Sequence, residues 1–274
     1  MLSLLLSAVL PVMAGAGPVS PEQVSALKAS VVRIKALDAA GDVVATGSGF
    51  VIDPQGVVVT NRHVVDVGGA QLVAEFADGT KRPVAGILAQ HPRRDVALVK
   101  IEGGGLHALE LGASDTLLEG TQVVMVGAPL GLGWTVSAGS VSAIRPHGLD
   151  EDQRGTDDGK YDAVDGRLLQ LDISSAQGAS GSPVVDASNR VVGVISAGMG
   201  QVGTLVFAVP VEAVKESLEG MLDDPVATRG ADAVDASART RYRNFGVSIA
   251  FFVACGLLLA FRRRRPAPAR RRRT

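Results

Sequence analysis

A serine hydroxyl becomes a nucleophile at neutral pH only beside a base. Three short segments of this 274-residue chain offer such a set: Thr60-Asn61-Arg62-His63, then Arg94-Asp95-Val96-Ala97-Leu98, then Gly178-Ala179-Ser180-Gly181-Ser182-Pro183. His63 is the candidate general base, since imidazole exchanges protons near neutrality. Asp95 would hold the imidazole in one tautomer and stabilise its cation, while Ser180 would attack a carbonyl carbon. Gly178 and Gly181 bracket the serine at a turn free of Cβ clashes, where backbone N–H groups can converge on a developing oxyanion. We group Gly178, Ala179 and Ser180 as that hole, with the N–H groups of Gly178 and Ser180 as donors. Ser182 precedes Pro183 and reads as the start of the next strand. His91, His107 and His147 read as isolated surface residues, and no metal or cofactor is expected.

These segments need elements to hold them. Hydrophobic residues make up 46% of the chain and aromatic ones only 4%, so any core must be built from Val, Ala, Leu and Ile. Apolar runs rich in Val and Ile recur between Gly, Asp and Pro. Val31–Ala36, Val43–Ile52, Val57–Asn61, Gln71–Phe76 and Val96–Ile101 form a first set. Gln122–Val126, Thr135–Ile144, Leu168–Asp172, Pro183–Val185, Val191–Ala197 and Leu205–Pro210 form a second. Asp78-Gly79 signals a hairpin after Phe76. Two sets of short strands predict an all-β fold of two six-stranded antiparallel barrels. Ser20-Pro21 reads as a helix start, and Val211, Val214, Leu218 and Leu222 share one face of a closing helix. Pro146–Gly166 is the one long polar stretch inside the domain.

The two ends differ from the body. Net charge is −1, yet eight arginines, Arg262–Arg265 and Arg270–Arg273, crowd the C-terminus; removing those eight from 27 basic residues leaves 19 against 28 acidic ones. An acidic body argues against nucleic acid as a partner. Leu2–Ala14 is apolar and is followed by Ala14-Gly15-Ala16, which reads as a signal peptide over residues 1–16, an uncleaved anchor being the other reading. Phe245–Phe261 carries no charge and would rise about 25 Å as a helix, the short end of a bilayer span. The arginines that follow predict a transmembrane helix over 244–261 with residues 262–274 in the cytoplasm. Residues 223–243 are polar and Ala-rich, a tether between the domain at 17–222 and the span. Cys255 is the sole cysteine, so no intrachain disulfide can form.

Several motifs together resemble a known family. Gly47-Ser48-Gly49-Phe50-Val51-Ile52, Val59-Thr60-Asn61-Arg62-His63-Val64-Val65, Arg94 through Ile101, Gly127-Ala128-Pro129-Leu130-Gly131-Leu132, Thr135 through Ser142, and Leu169-Gln170-Leu171-Asp172 are similar, in order, to trypsin-like serine proteases of the HtrA/DegP type. The resemblance covers residues from about 30 to 220 and implies a chymotrypsin-like double barrel, a cofactor-free peptidase, and His63, Asp95 and Ser180 as its triad. Three departures stand out. The family's Gly-Asn-Ser-Gly-Gly-Pro reads Gly178-Ala179-Ser180-Gly181-Ser182-Pro183 here; Trp134 occupies a usually polar position; and residues 223–243 are too few for a PDZ domain. Trypsins select basic side chains with an acid six residues before the nucleophile, where this chain has Ser174; Asp172 lies eight before. The resemblance therefore implies a small apolar preference at the residue before the cut. The expectation is a PDZ-less, membrane-anchored endopeptidase acting on protein or peptide substrates outside the bacterial inner membrane, in quality control or on a membrane-proximal target. A homo-oligomer is compatible with it. The alternative is a catalytically inactive protease fold serving as a tethered scaffold.

Overall fold

The computed structural model describes residues 19–91, 93–128, 133–148, 166–199 and 205–223. The signal-peptide and span segments and the tether after Asp223, which instead ends α3, fall outside these, as do most of the polar stretch after Pro146 and residues 129–132 of the Gly127–Leu132 motif.

Helix α1 (Pro21–Ser30) opens the described chain. Ser20 caps it: its Oγ accepts the Gln23 N–H at 3.2 Å while the Gln23 side chain accepts the Ser20 N–H at 2.9 Å. The first barrel follows, with β1 (Val31–Leu37), β2 (Val43–Asp53), β3 (Val57–Thr60), the one-turn helix α2 (Arg62–Val65), β4 (Gln71–Phe76), β5 (Lys81–Gln90) and β6 (Ala97–Ile101). The second holds β7 (Gln122–Gly127), β8 (Thr135–Arg145), β9 (Leu168–Asp172), β10 (Pro183–Val185), β11 (Val191–Met199) and β12 (Leu205–Pro210), after which α3 (Glu212–Asp223) returns to pack on β5 and β6. Each barrel is closed, in the orders β1-β2-β3-β6-β5-β4 and β10-β11-β12-β9-β8-β7, with every pairing within them antiparallel. The expected fold is therefore present across the described residues. Among these, no helix is long and apolar enough to cross a membrane.

Side chains alternate faces along a strand, and here both faces are apolar. Val58 points into the first barrel, whereas Val59 joins a second cluster between the barrels; Val99 and Leu98 divide the same way. In the second barrel Val123 and Met125 point in, while Val124 and Val126 join that same intervening cluster. Burial on both faces is why these strands read as continuous apolar runs rather than as alternating ones. The shared cluster also takes in Leu27 of α1 and Val214 of α3, so the two helices brace the seam.

One strand escaped delimitation from sequence. β5 contains Pro83 and Gly86, and its register against β6 slips at Val84/Gly86 and again at Ile87/Ala89. Bulges break the period-2 pattern that would have announced it.

Candidate active site

Pairing brings His63 and Asp95 together. β3 runs antiparallel to β6 with Thr60 opposite Ala97, so the residues just after β3 lie beside those just before β6. His63 sits on α2 and Asp95 at the β6 entrance. His63 Nδ1 stands 2.7 Å from Asp95 Oδ2, and the His63 backbone N–H donates to Asp95 Oδ1 at 3.0 Å. Asn61, fully buried, donates its Nδ2–H to the Asp95 carbonyl at 2.7 Å. One carboxylate thus fixes both the ring and the backbone of His63. Nδ1 is the nitrogen turned to Asp95, so Nε2 is the one that a general base would use.

Asp95 is only 2% exposed. Burial pushes its carboxyl up, but the charge on His63 and hydrogen bonds from His63 and Ser196 more than offset this and hold it below its usual value. The Ser196 hydroxyl donates to Asp95 Oδ2 at 2.7 Å. Ser196 lies on β11, so this bond crosses from the second barrel to the first. Sequence reading missed Ser196; the available signal was a polar residue at the end of the buried apolar run Val191–Ile195.

Ser180 lies on the turn between β9 and β10. Its hydroxyl donates to the carbonyl of Ser196 at 3.3 Å, so Ser196 touches both Asp95 and the candidate nucleophile. Gly178 and Gly181 have φ of +94° and +88°, the left-handed region that favours glycine. Space enforces the second: a Cβ on Gly181 would overlap the Ser48 carbonyl oxygen.

Ala179, grouped with the hole from sequence, gives its N–H to the Ala176 carbonyl at 3.0 Å, and its side chain is buried in the second barrel. The N–H groups of Gly178 and Ser180 donate to no group among the described residues. Ser182 is fully buried before β10 and its Oγ has no hydrogen-bond partner among the described residues.

Other positions shift in meaning. His107 and His147 are exposed, but His91 is not an isolated surface residue. Its Nδ1 accepts the N–H groups of Arg93 (3.2 Å) and Arg94 (3.0 Å), and its Nε2 stands 2.9 Å from Glu216 on α3. That imidazole braces the loop ending in Asp95 against the C-terminal helix. Arg94 donates to the Arg167 carbonyl at 3.2 Å, Arg167 in turn to the carbonyl of Ser114 at 2.9 Å, and Ser114 to Glu212 at the start of α3. Burial pushes the Glu212 carboxyl up, yet the Ser114 hydroxyl and N–H, with Lys215 nearby, hold it below its ordinary value. Trp134 turns to the first barrel, donating Nε1–H to the Val31 carbonyl at 3.1 Å with the Arg33 guanidinium 5.1 Å from its ring centre.

This geometry agrees with the comparisons. Residues 47–194 match the trypsin-like peptidase domain. The chain belongs to that family. Among curated relatives, the periplasmic serine endoprotease DegP of Salmonella typhimurium is 34% identical over 192 residues, covering 68% of this chain and 38% of DegP. Among solved structures, the HtrA-type protease AlgW with tripeptide superposes with a TM-score of 0.62 at 26% identity, covering 74% of this chain and 63% of AlgW. The chain spans about two fifths, or less, of the length of the curated relatives it matches.

Proposed function

We propose that the protein is a serine endopeptidase of HtrA/DegP type, with Ser180 as nucleophile, His63 as general base and Asp95 as the group that orients it. The observation that carries this is the His63–Asp95 pair at 2.7 Å, buried at the carboxylate and 22% exposed at the imidazole, with Ser196 bonded to both Asp95 and Ser180. In the first half-reaction Ser180 Oγ bonds to the substrate carbonyl carbon and its proton passes to His63 Nε2. The carbonyl oxygen becomes an oxyanion facing the Gly178 and Ser180 N–H groups. His63 then protonates the leaving amine as the C–N bond breaks, leaving an acyl-enzyme. Water, deprotonated by His63, attacks the acyl carbon and frees Ser180.

Substrates are peptide segments of extracytoplasmic proteins, with a small apolar residue before the scissile bond, in line with Ser174 standing where trypsins carry an acid. The apolar run Phe245–Phe261 followed by Arg262–Arg265 supports a single membrane span that keeps the domain outside the cytoplasm. The deciding experiment is fluorophosphonate labelling of the full-length protein in detergent, with Ser180→Ala as control. Labelling that the substitution abolishes is the expected result. A folded wild-type protein that takes no label sinks the proposal.

A further inference from the structure

Ser48 sits on β2 of the first barrel, fully buried and 130 positions from Gly178. Each of its polar groups is engaged at the seam. Its N–H donates to the Ser180 carbonyl at 2.7 Å and its hydroxyl to the Gly178 carbonyl at 2.8 Å. The same Oγ accepts the Ala128 N–H at 3.1 Å, and the Ser48 carbonyl accepts the Thr60 hydroxyl at 2.7 Å. Two of these bonds end on residues flanking or forming the nucleophile position.

Each peptide group is a rigid plane with its C=O and N–H on opposite edges. The plane joining Gly178 to Ala179 is held at both edges, by the Ser48 hydroxyl on its oxygen and by the Ala176 carbonyl on its N–H. The plane joining Ser180 to Gly181 is also held at both edges, by the Ser48 N–H and by the Ile195 carbonyl. Between and before them lie the planes that carry the Ser180 and Gly178 N–H groups, which have no acceptor among the described residues. Gly178 has no Cβ to bias its torsions. The orientation of these planes therefore depends on what grips the neighbouring carbonyls.

We infer that Ser48 is a positioning residue for the oxyanion hole, its hydroxyl locking the Gly178–Ala179 peptide so that the Gly178 and Ser180 N–H groups stay aimed at the oxyanion. This rests on the serine-peptidase reading above. A serine in the other barrel thus governs how well the nucleophile turn stabilises a tetrahedral intermediate, without touching substrate.

The test uses full-length wild type, Ser48→Ala and Ser48→Cys, with a quenched fluorogenic peptide for kcat and KM and a peptidyl boronic acid as a tetrahedral analogue. Ser48→Ala is expected to lower kcat about 10²-fold, with KM within about threefold of wild type and boronate affinity falling in step with kcat. Because Ser48 carries no charge, the shape of the pH–rate profile is expected to stay that of wild type. Ser48→Cys keeps the size and a weak donor, and is expected to lose about tenfold with the same split. It decides the matter where Ser48→Ala fails to fold. Folded Ser48 variants with kcat and boronate affinity within about threefold of wild type overturn the proposal. So does a loss tracked entirely by thermal unfolding. A wild-type protein that hydrolyses nothing and binds no boronate overturns the peptidase reading itself.

Discussion

The two barrels hold the proposed catalytic groups by different physical means. The first uses charge and side-chain hydrogen bonds: a buried carboxylate holds the His63 ring and its backbone, and Asn61 holds the loop behind it. The second uses backbone shape: two glycines at positive φ and a chain of main-chain hydrogen bonds set the Ser180 turn. The first arrangement answers to protonation. The second is indifferent to pH and intolerant of a single added methyl.

Substitutions sharpen that contrast. The largest expected effect is at Ser180→Ala, which should cost about 10⁶-fold in kcat while leaving the melting temperature near wild type, as single-turnover kinetics and calorimetry would show. Asp95→Asn comes next. It keeps the volume but presents the wrong hydrogen-bonding partner to Nδ1, so kcat should fall about 10⁴-fold with the barrel intact by circular dichroism. Gly181→Ala strikes the other kind of support. A Cβ there meets the Ser48 carbonyl, which is backbone and cannot step aside. Urea denaturation should show a loss of about 4 kcal/mol, with inactivity following from misfolding rather than from chemistry.

Ser196→Ala is the gentlest of the set, with kcat lowered about tenfold because one of the donors to Asp95 is gone. Its clearer signature is in pH-dependent stability. The Asp95 carboxyl is held below its ordinary value, so its contribution is present above the unfolded value, near 3.8, and is lost as pH falls through the folded one. Without the Ser196 hydroxyl that depression is smaller. The stability gap between wild type and variant should therefore narrow as urea midpoints are followed from neutral pH into acid. A constant gap would show that the hydroxyl acts through packing alone.

How much of this was legible in the sequence depended on whether a feature was local. The three segments that carry the proposed triad are short and linear, so residue type and order singled them out. The strands buried on both faces announced themselves as Val-rich runs, whereas β5 was hidden by Pro83, Gly86 and two bulges. Ser196 and Ser48 were not identified as supports because each acts only through tertiary contact: a serine in a strand looks the same whether its hydroxyl meets a carboxylate or nothing. His91 was misread for the same reason, since its acceptor role needs the loop to curl back on it and α3 to arrive from the far end of the chain. Ala179 was placed in the hole by proximity; only the structure shows its N–H turned back to Ala176.

The division of the site between barrels also sets an order in time. The proposed base and its aspartate belong to the first half of the chain and the proposed nucleophile to the second, and the seam between them includes residues as late as Val214 of α3. A chain emerging from a ribosome or threaded N-terminus first across a membrane carries an imidazole with nothing to activate until that late segment has arrived. Under the proposed chemistry, delivery in halves is its own safety catch: the unfinished chain would have no competent site with which to cut itself or the machinery that makes it.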